Sequence, residues 1–197
     1  LKMYDEAEKL YQESLHMYRQ IYGPDSNHTG IANLLHDMGF NCESNSDHST
    51  ALEYKLRALD MYREVYGKDA CHADIARALQ NIGVSYENMN EYVTAEVYYT
   101  QALTMRRMVY GEASNHKHIA NTLKCLGDSK RQLKMYDEAE KLYQESLHMY
   151  RQLHGPDRNH EDIADLLHDM GFNCESNSDH STALEYKLRA LDMYREV

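Results

Sequence analysis

The chain has 197 residues, with 21 Lys and Arg against 32 Asp and Glu for a net charge of -11, and 42% of it is hydrophobic. That content can fill a continuous core, and 17 Tyr supply much of its bulk. An acidic chain without a basic run argues against nucleic acid or a membrane surface as partner, and no apolar run is long enough to span a bilayer. The charge is uneven, with net values of -5, +1 and -7 over residues 1–65, 66–132 and 133–197.

In chain order, a helix is expected from near Tyr4, with Ala7, Leu10, Tyr11, Ser14, Met17, Tyr18 and Ile21 at helical spacing. Gly23-Pro24-Asp25 ends it, since glycine accepts a left-handed turn and proline cannot continue the ladder. A second helix starts around Asn27–His28 and carries Ile31, Leu35, Met38 and Cys42 on one stripe. After the polar turn Asn45-Ser46-Asp47, a third runs from about His48 to Tyr66, with Ala51, Tyr54, Ala58, Met61 and Val65 inward. The same alternation then continues through residues 73–89, 92–110, 117–133, 136–154, 161–177 and 180–197. The chain therefore reads as nine helices without a strand or linker.

Behind this alternation lies a repeat. Leu1–Gln20 recurs letter for letter at Leu133–Gln152, and aligning 1–65 with 133–197 leaves six differences. They are Ile21/Leu153, Tyr22/His154, Ser26/Arg158, Thr29/Glu161, Gly30/Asp162 and Asn33/Asp165. The offset of 132 divides into three steps of 44, marked by Gly23, Gly67, Gly111 and Gly155 and by Gly39, Gly83, Gly127 and Gly171. Ala7, Ala51, Ala95, Ala139 and Ala183 follow the same ruler, as do His28, His72, His116 and His160. A fixed period of this size means an array of units that bury their apolar faces on one another. We divide it as an unpaired helix at 1–22 and repeats at 23–66, 67–110, 111–154 and 155–197. Small residues at one register let paired helices approach closely, and the recurring histidine, standing where each pair begins, is read as structural.

The series Ile82-Gly83, Tyr86, Tyr92, Ala95, Tyr99 and Ala102, with Leu126-Gly127, Tyr136, Ala139, Tyr143 and Ser146, resembles the tetratricopeptide repeat. The first and last pairs depart from it: Cys42 and Cys174 replace the aromatic, His48 and His180 replace Tyr92, and Lys55 and Lys187 replace Tyr99. The long unit and its NHxxIA or CHADIA start resemble the kinesin light chain type. The resemblance covers essentially the whole chain. It implies an all-α, right-handed superhelical solenoid of antiparallel helix pairs.

Phosphate-binding, nucleophile-elbow and zinc-protease motifs are absent, so no catalytic residue, metal site or cofactor is expected, and the chain is read as no enzyme. His116 and His118 lie two apart on a helix and diverge. The cysteines Cys42, Cys71, Cys125 and Cys174 make no CxxC pair, which fits four reduced thiols and a cytoplasmic protein.

What remains is surface. In tetratricopeptide arrays the first helix of each pair lines a concave, peptide-binding groove. By register the rows here are Asn33, His36, Asp37, Phe40 and Glu43; Arg77, Gln80, Asn81, Val84 and Glu87; Asn121, Lys124, Asp128 and Arg131; and Asp165, His168, Asp169, Phe172 and Glu175. An acidic group of a ligand is expected over Arg77, Lys124 and Arg131, with Phe40 and Phe172 touching apolar side chains toward either end. The expected function is a non-catalytic scaffold that binds a protein or peptide. The alternative is a regulatory or sensor segment of a larger signalling ATPase or enzyme. The chain begins at a loop and stops inside a helix, so self-association through the terminal helices is also expected.

Overall fold

The computed structural model describes residues 2–24, 26–112, 114–155 and 158–196, with the Lys2 side chain set aside. The expected turn role of Asp25 and the final helical position of Val197 therefore fall outside the described residues. Within them are nine helices and no strand. They are α1 (Lys2–Tyr22), α2 (Thr29–Ser44), α3 (His48–Tyr66), α4 (Ala73–Asn88), α5 (Tyr92–Tyr110), α6 (Lys117–Gln132), α7 (Tyr136–His154), α8 (Glu161–Ser176) and α9 (His180–Glu196). The fold is an all-α solenoid of antiparallel helices.

Two compact units divide the chain, Leu1–Glu91 and Tyr92–Val197. In the first, α1 packs on α2, α2 on α3 and α3 on α4; in the second, contacts run from α5 to α9 in order, with α6 also reaching α8. Each core is built from alanines and large rings together. Ala32, Ala51, Ala58 and Tyr62 are fully buried in the first unit, and Ala120, Ala139 and Tyr143 in the second. A Cβ added at Gly127 would come within 2.6 Å of Tyr143 Cε1, so glycine there is what admits the ring. A Cβ at Gly39 would meet Lys55 Cγ at 2.8 Å.

Two kinds of turn alternate. Gly67 and Gly155 end their helices at φ 104° with ψ near 142°, an extended mirror region beyond the left-handed helix that side chains resist. The second kind uses Ser46, Asn90, Lys134 and Ser178, all with φ between 62° and 65°. Asp47 and Asp179 then cap the next helix, accepting from the Thr50 and Thr182 N–H groups at 3.1 Å.

The periodic histidines cap helices. His28, His72, His116 and His160 are extended residues whose Nδ1 accepts the N–H two positions on, at 3.0, 3.2, 3.2 and 3.1 Å. They lie just before the helices rather than opening them, and so satisfy an otherwise orphaned donor. Each ring also stacks on the last aromatic of the preceding helix: Tyr22, Tyr66, Tyr110 or His154, with centroids 3.4–3.9 Å apart. One side chain thus caps a helix and clamps the turn that leads into it.

Two expectations about burial need correction. In α3 the deepest residues are Ala51, Lys55, Ala58, Leu59 and Tyr62, whereas Met61 is half-buried and Val65 exposed. The helix packs on α2 and α4 together, which centres its buried side one position away from the apolar stripe. In α1, Leu10, Met17 and Ile21 are exposed while Leu15 is buried, because α2 packs along one side and α3 reaches α1 through Tyr54, which hydrogen-bonds Gln12 and Glu8.

Candidate functional site

The expected rows lie on α2 and α4 in the first unit and on α6 and α8 in the second. In the first unit, Asn33, Asp37 and Phe40 are exposed, and Glu43, Arg77, Asn81, Val84 and Glu87 are half-buried. His36 and Gln80 are buried, at 3% and 9% exposure, so neither offers the free face expected of it. His36 Nε2 hydrogen-bonds the Asn81 side-chain amide, because α4 lies over α2 at this point. Burial, with the Arg77 and Lys55 charges behind it, pulls the His36 imidazole down to about 4.

Arg77 is committed as well. Its Nη2 donates to Asp74 Oδ1 at 3.0 Å, to Tyr62 Oη at 3.0 Å and to Asn33 Oδ1 at 3.1 Å. The Tyr62 hydroxyl donates to Asn33 in turn. Deeper in, Lys55 is fully buried, and its Nζ donates to Glu43 Oε2 at 2.7 Å and Ser85 Oγ at 2.8 Å. The ammonium sits 4.6 Å from the centroid of Phe40, and His36 meets the same ring edge-on at 4.8 Å. Phe40 is therefore a lid over a buried cation and still 40% exposed on its outer side.

The second unit has its own version. Lys124 Nζ lies 2.7 Å from Asp169 Oδ2, and although burial opposes it, Asp169 and Asp128 hold the ammonium well above its ordinary range. Arg131 lies 3.6 Å from Asp128, which also accepts the Tyr143 hydroxyl at 2.8 Å. Tyr194 donates to Asp165, and Tyr150 is hydrogen-bonded to Asn121. Phe172 repeats the lid: Lys187 Nζ is 4.4 Å from its centroid, His168 is edge-on at 4.6 Å, and Glu175 accepts from Lys187 at 2.6 Å. Here His168 is exposed.

The cations expected to await an acidic ligand are thus already paired inside their own unit. What the sequence reading missed is the reach of the second helix. Its tyrosines, 29 residues beyond Asn33 and Asp165, bond the rim of the first helix from behind. The recurrence of Tyr62, Tyr150 and Tyr194 at one register was the available signal.

A cleft of about 280 Å³ in the first unit is lined by Arg19, Ile31, Leu35, Arg57, Met61 and Glu64 among others, and by none of the expected groove residues. No disulfide joins the cysteines. Among the described residues no helix is long and apolar enough to cross a membrane. The His116 and His118 ring centroids are 5.2 Å apart, yet among the described residues the group able to gather a metal is another one, His154, His160 and Asp162, which was not expected from the sequence.

The tetratricopeptide-repeat profile matches residues 1–64, 30–108 and 118–196. The chain belongs to the tetratricopeptide-repeat family. Comparison with curated protein sequences returned no significant match. Among solved structures, BtubC (BKLC) from P. vanneervenii superposes with a TM-score of 0.83 at 18% identity, over 98% of this chain and 74% of that one. A Podosopora anserina kinesin light chain protein with nearly identical TPR-like repeats gives 0.80 at 13% identity, over 98% and 87%. The Rap conjugation gene regulator of plasmid pLS20, in complex with the Phr* peptide, gives 0.69 at 17% identity, over 99% of this chain and half of that one. The fold is thus shared with the kinesin light chain repeats. Among the departures from the repeat pattern, Lys55 and Lys187 now have a structural account, each placing its ammonium against a phenylalanine ring.

Proposed function

We propose that the chain is a non-catalytic, cytoplasmic protein-interaction scaffold that holds an extended peptide or partner segment on the polar face of α2 and α4 in the first unit or of α6 and α8 in the second. The observation that carries this reading is the pair of half-exposed phenylalanines. Phe40 and Phe172, the chain's only two, each present one face outward while a lysine and a histidine fix the other. An aromatic held rigid before binding loses little entropy on contact and makes a good anchor. The paired charges, Arg77–Asp74 in the first unit and Lys124–Asp169 in the second, present both signs, which suit a polar backbone better than one carboxylate. An acidic side chain of the ligand engages Lys124 by exchanging with Asp169. The peptide complex of the structurally similar Rap regulator supports the peptide reading, and equally the second one, a sensor segment whose occupancy is relayed to another domain.

Selection of binding peptides from a displayed library on the purified chain tests the proposal. The variant Phe40→Ala/Phe172→Ala should weaken the selected peptides by about 2 kcal/mol or more. Lys124→Ala should reduce both affinity and its salt dependence for acidic peptides. Peptides that bind both variants as tightly as the parent chain place the interaction elsewhere.

A further inference from the structure

The turn between α7 and α8 carries a cluster that the peptide reading leaves unused. His154 closes α7, His160 caps α8, and Asp162 stands in the first turn of α8. One ligand atom from each lies within 4.8 Å of the others. His154 Nε2 is 3.1 Å from Asp162 Oδ2, and His160 Nδ1 is 3.5 Å from the same oxygen. Their side chains are 19%, 32% and 21% exposed, so they are sheltered yet open to an ion from solvent.

The sequence makes this turn unlike the other three. Six positions separate residues 1–65 from 133–197, and two of these, Tyr22/His154 and Gly30/Asp162, supply two of the three groups. The corresponding turns hold Tyr66, His72 and Asp74, and Tyr110, His116 and His118. In the α3–α4 turn the Tyr66 hydroxyl donates to Asp74 Oδ2 at 2.8 Å, where His154 meets Asp162. A phenol there makes a hydrogen bond, whereas an imidazole brings a nitrogen lone pair that coordinates metal at neutral pH.

We propose that His154, His160 and Asp162 form a binding site for a divalent transition-metal ion, of which zinc is the best fit. Two imidazole nitrogens and one carboxylate oxygen make the mixed set that zinc accepts, with a fourth position left to water. Calcium and magnesium, which ask for oxygen ligands, are served poorly. Binding requires His160 to release the Asp162 N–H that its Nδ1 now accepts, or to turn and offer Nε2, together with two further movements. The His154 and His160 rings, stacked 3.4 Å apart, splay so that their lone pairs converge at about 2.0–2.2 Å from the ion. Lys117, whose Nζ lies 3.0 Å from Asp162 Oδ2 and whose side chain is 59% exposed, swings into solvent. The ion then ties the end of α7 to the start of α8.

Titration of the chelator-treated chain with Zn²⁺ by calorimetry, and with Co²⁺ by visible absorption, tests the site. One saturable equivalent and ligand-field bands are expected. His154→Tyr, which restores the residue found at positions 22, 66 and 110, should keep the circular dichroism spectrum and abolish the bands. Its loss in affinity should be at least the roughly 10–100-fold that removing an outer-shell partner costs. Asp162→Asn is the second variant, should the first fail to fold, and Lys117→Ala should tighten binding by removing the competing cation. Absence of saturable binding, or equal affinity in the parent and in whichever ligand variant folds, overturns the assignment.

Discussion

His72 lies face to face on Tyr66, ring centroids 3.6 Å apart, while its Nδ1 caps α4 through the Asp74 N–H. Two separable contributions meet in one ring. His72→Ala should cost about 1–2 kcal/mol, and His72→Asn, which keeps a capping acceptor without the stack, should recover roughly half of it. Urea unfolding of the three proteins measures both numbers.

The buried His36 makes stability depend on pH. Its folded-state value is about 4 against 6.5 for the free side chain, so between these limits the unfolded chain binds the extra proton. Stability therefore rises with pH through this window, and the penalty is fully relieved above about 6.5. The shift corresponds to about 3 kcal/mol between the extremes. His36→Gln should flatten the pH dependence of the unfolding midpoint between pH 4 and 6.5 relative to the parent. Parallel profiles would show that His36 is not the group responsible.

Lys55 and Glu43 form a pair in which only the acid retains any exposure, 12% of its side chain. Removing one partner strands the other, so Lys55→Ala should destabilise by about 3–5 kcal/mol, more than a surface ion pair could account for. Thermal unfolding reads this directly. The equivalent Lys187→Ala should cost less, because Lys187 is 29% and Glu175 50% exposed.

The turns offer opposite tests. Gly67→Ala has room, since the nearest atom to an added Cβ is 3.8 Å away, yet its backbone conformation should cost about 1–3 kcal/mol. Lys134→Asn places at φ 62° the residue that serves the same turn at position 90, and should stabilise by up to about 1 kcal/mol. Chemical denaturation that ranked the two variants the other way would refute the strain argument.

The helices were legible because their punctuation is local. His48, Tyr92 and Tyr136 begin helices where expected, whereas α1 starts two residues earlier than read, α2 starts just after His28, and α4, α6 and α8 end one residue earlier. The site was less legible, since the wheel of one helix says nothing about what its neighbours cover. His36 and His168 stand in the shared segment Leu-Leu-His-Asp-Met-Gly-Phe, yet the first is buried against Asn81 and the second exposed. The charge of Lys124 was likewise visible, but not Asp169 lying 45 residues further along and 2.7 Å away. The three-residue cluster at the last turn escaped for another reason. His154 and His160 are spaced by a loop, so no helical periodicity brings them together.

Residues 48–65 and 180–197 are identical, yet Leu59 and Tyr62 are 2% and 0% exposed in α3 while their copies Leu191 and Tyr194 are both 43% exposed in α9. In deuterium exchange followed by mass spectrometry, the two copies yield peptides of one mass and one sequence. Such a peptide from within these helices should therefore give a split isotopic envelope, its slow half from α3 and its fast half from α9. The separation between the halves reads out what a neighbouring helix adds to a fixed sequence, within a single molecule and without any mutation.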